Sequence, residues 1–168
     1  DGAKIAILAK TTTPHPKLPG TIYTAQAAVE QAGGHCIAIP TDIRDEKAIQ
    51  HAVDKTVEAF GGIDILINNA SAISLTGLAH TESKRYDLMH QINGRGSFLL
   101  AKHCLPYLEK AKNPHILNDS PPFSFHEKPR GMFSLHPRHL AGKTAYMAAK
   151  YLMTFWTIGL AEELKSKG

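Results

Sequence analysis

The sequence predicts an α/β protein built on a doubly wound parallel sheet, and three observations support this prediction. Short apolar stretches typical of strands alternate with amphipathic stretches typical of helices along the chain. The strand stretches are apolar on both faces, which is typical of parallel strands covered by helices on both sides. The 168 residues, 43% of them hydrophobic, are enough for a single domain with one core, and no internal repeat divides them.

The elements follow in a regular order. Four strands are predicted, at residues 4–9, 35–40, 63–68 and 115–118. Helices are predicted between and after them, at residues 22–32, 46–60, 83–110 and 146–165. Asp45 is expected to cap the second helix, and the glycine pairs at 33–34 and 61–62 are expected to end the first two.

Charge and composition exclude several classes of protein. The net charge is +4 and the basic residues are scattered, so no nucleic-acid partner is expected. No apolar run is long enough to span a membrane, and residues 1–20 do not resemble a secretory leader. Cys36 and Cys104 are interpreted as buried thiols in a reducing compartment, which favours a cytoplasmic protein. The ten histidines lack metal-ligand spacing, so no metal site is expected.

Parallel sheets bind ligands beyond the carboxyl ends of their strands, so the segments after Ala9, Pro40, Asn68 and Asn118 are the candidate site. Lys10 follows the first strand, and residues 2–29 contain no acidic side chain. A carboxylate here would favour NAD, whereas a lysine suits the 2′-phosphate of NADP. We therefore expect an NADP-type pocket at Lys10. The alternative is a polar surface loop whose lysines, Lys17 included, have no role.

Polar or small residues follow the other strands too. Asp42 has two interpretations, an acceptor for an adenine amino group or a second helix cap. Asn69 and Ala70 suit a tight turn against a planar ligand. Asn93 lies in a helical stretch with Gly94 and Gly96, each costing about 1 kcal/mol relative to alanine, which suggests a kink, a close helix contact or a functional backbone feature. The alternative is an ordinary helix break with a solvated asparagine.

Tyr146 and Lys150 are four residues apart in the last helix, so their side chains share one face. A free tyrosine has a pKa near 10, and useful phenolate near pH 8 needs about 2.7 kcal/mol of stabilisation. An ammonium about 4 Å away supplies about 4 kcal/mol at an effective dielectric constant of 20. The pair is therefore a plausible acid/base device. The alternative is a half-buried tyrosine beside a solvated lysine.

These residues together resemble the short-chain dehydrogenase/reductase family. The resemblance covers essentially the whole chain and rests on Asn68-Asn69-Ala70-Ser71, then Asn93, then Ser120, then Tyr146 and Lys150, in the family's order. Four stretches look like the subgroup of hydroxysteroid dehydrogenase-like proteins and bacterial citronellol dehydrogenase-like enzymes, namely residues 10–22, 63–75, 84–93 and 115–122.

The resemblance implies a Rossmann-like fold and hydride transfer between NADP(H), rather than NAD(H), and a small-molecule alcohol or carbonyl. It assigns the general acid/base role to Tyr146, and to Lys150 the activation of that tyrosine and the binding of the nicotinamide ribose. It assigns to Asn93 a water that links Lys150 to solvent, and to Ser120 the polarisation of the substrate oxygen. Lys10, Asp42, Asn69 and Ala70 would contact the cofactor, with Tyr146 and Lys150. It also implies a homodimer or homotetramer, in which Phe155, Trp156 and Leu160 either form the interface or pack on the sheet.

The sequence departs from the family pattern in three ways. The family's opening strand and glycine-rich turn are absent, as are its last strands, so we expect a partial single domain over residues 1–168 whose sheet is split where that central strand would lie. The segment alone is expected to bind NADPH poorly. Pro121 occupies the usual position of the catalytic serine, which leaves Ser120 or Ser124 as the donor. Residues 120–144 are longer than their counterpart and are interpreted as a mobile insertion.

Two other functions compete with an NADP-dependent oxidoreductase. A non-catalytic paralogue or fragment that keeps the fold for binding or oligomer contacts would account for the missing glycine turn and for Pro121. A flavodoxin-like binding module would account for the alternation of strands and helices. It would not account for the tyrosine, lysine and asparagine set.

Overall fold

The computed structural model describes residues 2–121 and 140–167. The four strands are β1 (Lys4–Ala9), β2 (His35–Pro40), β3 (Ile65–Asn68) and β4 (His115–Asn118). The helices are α1 (Ile22–Gln31), α2 (Glu46–Phe60), α3 (Ser83–Met89), α4 (Ser97–Leu108) and α5 (Thr144–Glu163). A π-helical segment, His90–Gly96, joins α3 to α4. Short 3₁₀ turns lie at Leu78–His80 and Lys165–Lys167. Most of the predicted insertion at 120–144 lies outside the described residues.

Local signals in the sequence set the helix ends. The Asp45 side chain accepts hydrogen bonds from the main-chain N–H of Lys47 and Ala48, which confirms it as the cap of α2. Gly61 follows α2 with φ of 86°, a left-handed conformation that glycine adopts without strain. β3 begins two residues later than predicted, at Ile65, and α5 begins two residues earlier, at Thr144.

The four strands form two separate parallel pairs. β1 pairs with β2 and β3 pairs with β4, and no ladder joins the two pairs in the part of the chain that the structure describes. The split sheet that the sequence led us to expect is therefore confirmed. Both pairs are parallel and in continuous register. Lys4 lies opposite His35 at the start of the first pair, and Asn68 lies opposite Asn118 at the end of the second.

One layer of helices holds both strand pairs. Leu8 of β1 and Leu66 of β3 pack against the same buried cluster, whose members come from α2, α4 and the segment after β2 (Ile43, Ile49, Leu99 and Leu100). A second buried cluster, Val53, Cys104 and Leu108, contacts Ile116 of β4. The two pairs are thus held side by side by α2 and α4, although no backbone hydrogen bond joins them among the described residues.

Among the described residues, helices cover only one face of β3 and β4. Side chains alternate between the faces of a strand, so Leu66 and Ile116 point to the helices while their neighbours point away. Those neighbours, Ile65, Ile67 and Leu117, are each more than half exposed. These strands carry apolar side chains on both faces, and the described helices cover only one of those faces.

The predicted helix over residues 83–110 is not regular. A π-helical segment occupies its middle, and α4 ends at Leu108. A Cβ atom on Gly94 would lie 2.6 Å from Cδ2 of Leu152, and one on Gly96 would lie 2.9 Å from the main-chain oxygen of Ile43. The two glycines therefore allow close approach to α5 and to the segment after β2, which bears out the close contact, one of the three alternatives that the sequence left open.

Two further observations concern the cysteines and the helices. Cys36 and Cys104 are both free and buried, as predicted, and burial raises the pKa of the Cys104 thiol to about 12. Within residues 2–121 and 140–167, no helix is both long enough and apolar enough to cross a membrane.

Candidate active site

Three strand ends meet the same group of helices. Ile43, after β2, contacts Gly96 of the π-helical segment. Ala72, after β3, is hydrogen-bonded to Asn93 of that segment. Asp119, after β4, is hydrogen-bonded to Lys150 of α5. The carboxyl ends of the strands therefore gather at one edge, where an open parallel sheet binds its ligand.

Tyr146 and Lys150 lie in the first two turns of α5. Tyr146 is half-buried, whereas the Lys150 side chain is 7% exposed. The Lys150 ammonium donates a hydrogen bond to the main-chain oxygen of Asp119, and it lies 3.8 Å from Oδ2 of the same residue. Burial lowers the pKa of Lys150, and the nearby Asp119 carboxylate opposes that shift. The alternative of a solvated lysine is therefore wrong.

Asn93 is fully buried in the π-helical segment. Its Oδ1 accepts from the N–H of Ala72 at 2.8 Å, and its Nδ2 donates to the Ala72 carbonyl at 2.9 Å. The Asn93 amide thus pairs with both main-chain polar groups of Ala72, as a neighbouring strand would, and it fixes the segment that follows β3. The alternative of a solvated asparagine at an ordinary helix break is wrong. One further acceptor position on Oδ1 and one further donor on Nδ2 remain within the capacity of the amide.

Ser120 lies between two residues whose main-chain oxygens are hydrogen-bonded to α5. Asp119 accepts from Lys150, and Pro121 accepts from the Thr154 hydroxyl at 2.8 Å. Ser120 itself is half-buried. The segment that carries this candidate donor is consequently fixed on the same helix as Tyr146. The other candidate, Ser124, lies outside the described residues.

A chain of amide and hydroxyl groups below these residues was not assigned a role from the sequence. Asn68 donates to Oδ1 of Asn118 at 2.8 Å, and Asn118 donates to the Thr157 hydroxyl at 2.9 Å. Thr157 donates in turn to the Met153 carbonyl at 2.6 Å. The available signal was polarity, since an asparagine ends each of the two strands. Thr157 is seven residues after Lys150 and therefore lies on the same face of α5.

The candidate cofactor residues of the first strand pair are more exposed. Lys10 directly follows β1, and Asp42 follows β2. Arg44 forms a two-point ion pair with Asp42, with Nε 2.9 Å from Oδ1. The Arg44 hydrogen bonds lower the pKa of Asp42 to about 2, with a smaller contribution from the charge of Lys10. Lys10 and Asp42 are thus close enough to interact, and Arg44 is a charged neighbour that sequence reasoning missed.

The candidate residues fall into two groups. The first group lies beside the strand pair β3 and β4. It consists of Tyr146 and Lys150 on α5, Asn93 in the π-helical segment and Ser120 after β4. Lys10 and Asp42 lie on the other strand pair. Asn69 and Ala70 are exposed after β3, on the chain between β3 and the residue that Asn93 binds.

This geometry agrees with the similarity of the chain to known proteins. The sequence matches the family described as short chain dehydrogenase over residues 2–168. The chain belongs to the short chain dehydrogenase family. Members of this family are oxidoreductases that use NAD or NADP, and the predicted family and fold are confirmed.

Relatives within the family are named hydroxysteroid dehydrogenase-like protein 2. The protein of that name from Danio rerio is 53% identical over 165 residues, which is 98% of this chain and 37% of the relative. The protein from Homo sapiens is 50% identical over 167 residues, which is 99% of this chain and 38% of the relative. The chain therefore spans less than two fifths of the length of these relatives, and the predicted subgroup is confirmed.

Solved structures show the same fold. A short chain dehydrogenase from Mycobacterium thermoresistibile is 49% identical with a TM-score of 0.90, over 100% of this chain and 56% of the other. A metagenomic short-chain oxidoreductase in complex with NADP is 23% identical with a TM-score of 0.77, over 99% of this chain and 67% of the other. At that lower identity the similarity concerns the fold alone.

Proposed function

We propose that this chain belongs to an NADP-dependent oxidoreductase that interconverts an alcohol and a carbonyl compound, with Tyr146 and Lys150 as its acid/base pair. The observation that carries the proposal is the buried Lys150 ammonium, one helical turn from Tyr146 and hydrogen-bonded to the segment that bears Ser120. Because burying an ammonium is costly, a buried lysine beside a tyrosine at the carboxyl edge of a parallel sheet favours a chemical role in addition to its hydrogen bond to the main chain of Asp119.

Tyr146 is the proposed proton donor in reduction and the proposed proton acceptor in oxidation. The Lys150 ammonium favours the ionised form of a hydroxyl one turn away, because opposite charges attract more strongly in a partly buried site. Ser120 would donate a hydrogen bond to the oxygen of the substrate, which the anchoring of its neighbours Asp119 and Pro121 supports. Asn93 would hold a water near Lys150 through the unused capacity of its amide, while its bonds to Ala72 fix the loop after β3.

The residues at the strand ends fit a dinucleotide. Lys10 would attract the 2′-phosphate, Asp42 would accept from the adenine amino group, and Asn69 and Ala70 would line the turn after β3. Support for NADP over NAD comes from the positive charges of Lys10 and Arg44 around Asp42 and from the absence of acidic residues between positions 2 and 29. The bound nicotinamide would supply or accept the hydride.

We further infer that the protein forms homodimers or homotetramers through α4 and α5. Three apolar side chains are well exposed on these helices, namely Phe98, Leu152 and Phe155. The rings of Trp156 and Phe98 pack edge to face, with their centroids 6.1 Å apart. Exposed apolar side chains grouped on one surface favour an interface. Sedimentation equilibrium of the full-length protein tests the inference, and a monomer at all concentrations would contradict it.

The test of the function uses the full-length protein that contains this chain. Tyr146→Phe removes the proton-carrying oxygen without changing the ring, so turnover is expected to fall by at least about a hundredfold. NADPH binding, followed by nicotinamide fluorescence, is expected to persist and to exceed NADH binding. Turnover that survives the substitution would refute the acid/base assignment.

The competing proposal is a non-catalytic member of the family that keeps the fold for binding. Pro121 at the usual serine position favours it. This alternative predicts no change in nicotinamide fluorescence when NADPH is added. A clear change would eliminate it, and equal affinities for NADPH and NADH would remove the proposed role of Lys10.

A further inference from the structure

One face of α5 holds the chain that leaves β4. The side chains of Lys150, Thr154 and Thr157, spaced by four and then three residues, lie on that face. They bind the Asp119 carbonyl, the Pro121 carbonyl and the Asn118 side chain, respectively. Three of the four residues 118–121, all except Ser120, are therefore hydrogen-bonded to the helix that carries Tyr146.

Asp119 is held at both of its main-chain polar groups. Its N–H donates to the Asn68 carbonyl at 3.2 Å, which continues the pairing of β3 with β4, and its carbonyl accepts from Lys150. Because the main chain is fixed on both sides, the carboxylate has only its own two torsions with which to move. Oδ2 lies 3.8 Å from the Lys150 ammonium.

The two charges differ greatly in exposure. The Asp119 side chain is 71% exposed, whereas the Lys150 side chain is 7% exposed. The carboxylate thus remains hydrated while it lies beside a charge that is largely removed from water. Such an arrangement changes the field around the ammonium at little desolvation cost to the carboxylate.

Among the described residues, most other charged groups on the elements packed against α5 are engaged elsewhere or face solvent. His90 of the π-helical segment lies against the Tyr86 ring with its Nε2 buried. Lys165 and Lys167, which follow α5, pair with Glu162 and Glu109. Arg95, Lys102 and His103, from the π-helical segment and α4, all contact Glu46 of α2. On α3, Lys84 pairs with Glu82, while Arg85 and Asp87 are exposed. On β4, His115 is exposed at the opposite end of the strand. On α5 itself, Tyr146 lies one turn before Lys150 and Tyr151 directly after it.

We propose that Asp119 is a positioning residue whose carboxylate, fixed beside Lys150, weakens the field that the ammonium exerts on the Tyr146 hydroxyl. The proposal rests on the proposed function, because it concerns the same acid/base pair. Its consequence is that Tyr146 ionises at a higher pH than Lys150 alone would allow. Asp119 would therefore set the pH range in which alcohol oxidation is efficient.

The experiment follows the ionisation of Tyr146 directly in the full-length protein. Tyrosinate absorbance is titrated towards alkaline pH, and the curve of the same protein with Tyr146→Phe is subtracted. Asp119→Asn, which keeps the shape and removes the charge, is expected to move the midpoint of the difference curve down by about 0.5 pH unit. Asp119→Glu keeps the charge and is expected to leave the midpoint within about 0.2 pH unit of that of the unaltered protein.

The salt dependence of the midpoints is a second readout. If Asp119 acted only through packing, salt would not alter the difference between the two midpoints. The interval between the midpoints of the unaltered protein and Asp119→Asn is expected to narrow in about 1 M salt, because an exposed carboxylate is screened at that ionic strength. Coincident midpoints at low salt would overturn the proposal. So would a downward shift of equal size in Asp119→Glu, or an interval that salt leaves unchanged.

The experiments distinguish a failure of the Asp119 proposal from a failure of the proposed function. If Tyr146→Phe retains turnover, the acid/base assignment fails, while the titration still measures the effect of Asp119 on the hydroxyl. If Tyr146→Phe is inactive and the Asp119→Asn midpoint does not move, the assignment stands and the proposal for Asp119 fails.

Discussion

The two strand pairs present different chemistry at their carboxyl ends. After β1 and β2, the candidate residues Lys10, Asp42 and Arg44 are charged and at least partly exposed. After β3 and β4, the polar groups are mainly amides together with one ammonium, and Asn68, Asn93 and Lys150 are buried. The same type of strand edge thus has a charged, hydrated half and a half in which buried amides and one buried ammonium bind the main chain, beside the exposed carboxylate of Asp119.

The difference indicates how the two halves contribute. Hydrated charges attract a charged ligand at long range, tolerate substitution and respond to salt. Buried amides fix the main chain through hydrogen bonds, and their loss leaves unpaired groups away from water. We therefore expect substitutions in the second half to cost several times more stability than those in the first.

The largest effect is expected at Asn93. Asn93→Ala removes both hydrogen bonds to Ala72 and leaves a cavity, so the free energy of unfolding is expected to fall by about 2–4 kcal/mol. Asn69→Ala, at an exposed asparagine after the same strand, is the matched control and should cost less than about 0.5 kcal/mol. Urea unfolding of the full-length protein measures both. Losses of similar size would contradict the contrast between buried and exposed amides.

The next effect tests the contact where the two halves meet. A Cβ on Gly96 would lie 2.9 Å from the main-chain oxygen of Ile43, which cannot move as a side chain can, so Gly96→Ala is expected to cost about 1–3 kcal/mol. Gly159 lies inside α5 with nothing within 4 Å of such a Cβ. Gly159→Ala should therefore stabilise the protein by about 0.5–1 kcal/mol. Opposite signs in thermal unfolding are the expected result, and two losses would refute it.

The comparison of halves also shows what the sequence could predict. β1, β2 and β4 lie where predicted, because each is a short apolar run between polar or glycine-containing segments. The cap at Asp45 followed from its position before an amphipathic stretch. Local composition and spacing carry this information, so it can be read one segment at a time.

What the sequence could not predict depends on contacts between distant residues. Gly94 and Gly96 signalled an irregularity in the predicted helix, but its π-helical geometry and its contacts with Leu152 and Ile43 are seen only in the structure. The carboxylate of Asp119 stands out in the sequence as a polar residue, but its contact with Lys150 lies 31 residues along the chain. The roles assigned to Tyr146, Lys150, Ser120 and Asn93 stay predictions until the substitutions proposed for them are made.

The smallest effect is expected in the charged half, at Asp42. The pKa of Asp42 is lowered from 3.8 to about 2 in the folded protein, chiefly by the Arg44 hydrogen bonds. A lowered carboxyl pKa adds stability above the unfolded value and loses it as the pH falls through the folded value. Asp42→Asn should therefore reduce the unfolding free energy at neutral pH by less than about 1 kcal/mol, because the pair is partly exposed to solvent.

The pH dependence of that difference is the decisive measurement. The difference between the unaltered protein and Asp42→Asn should shrink as the pH falls from about 4 towards about 2, because Asp42 then becomes protonated in the folded state. Arg44→Met removes the same pair from its other side, so adding it to Asp42→Asn should change stability little further. A difference that persists through the acid range would mean that the Asp42 side chain stabilises the loop after β2 by its shape. The charged half would then resemble the buried half in how it holds its main chain.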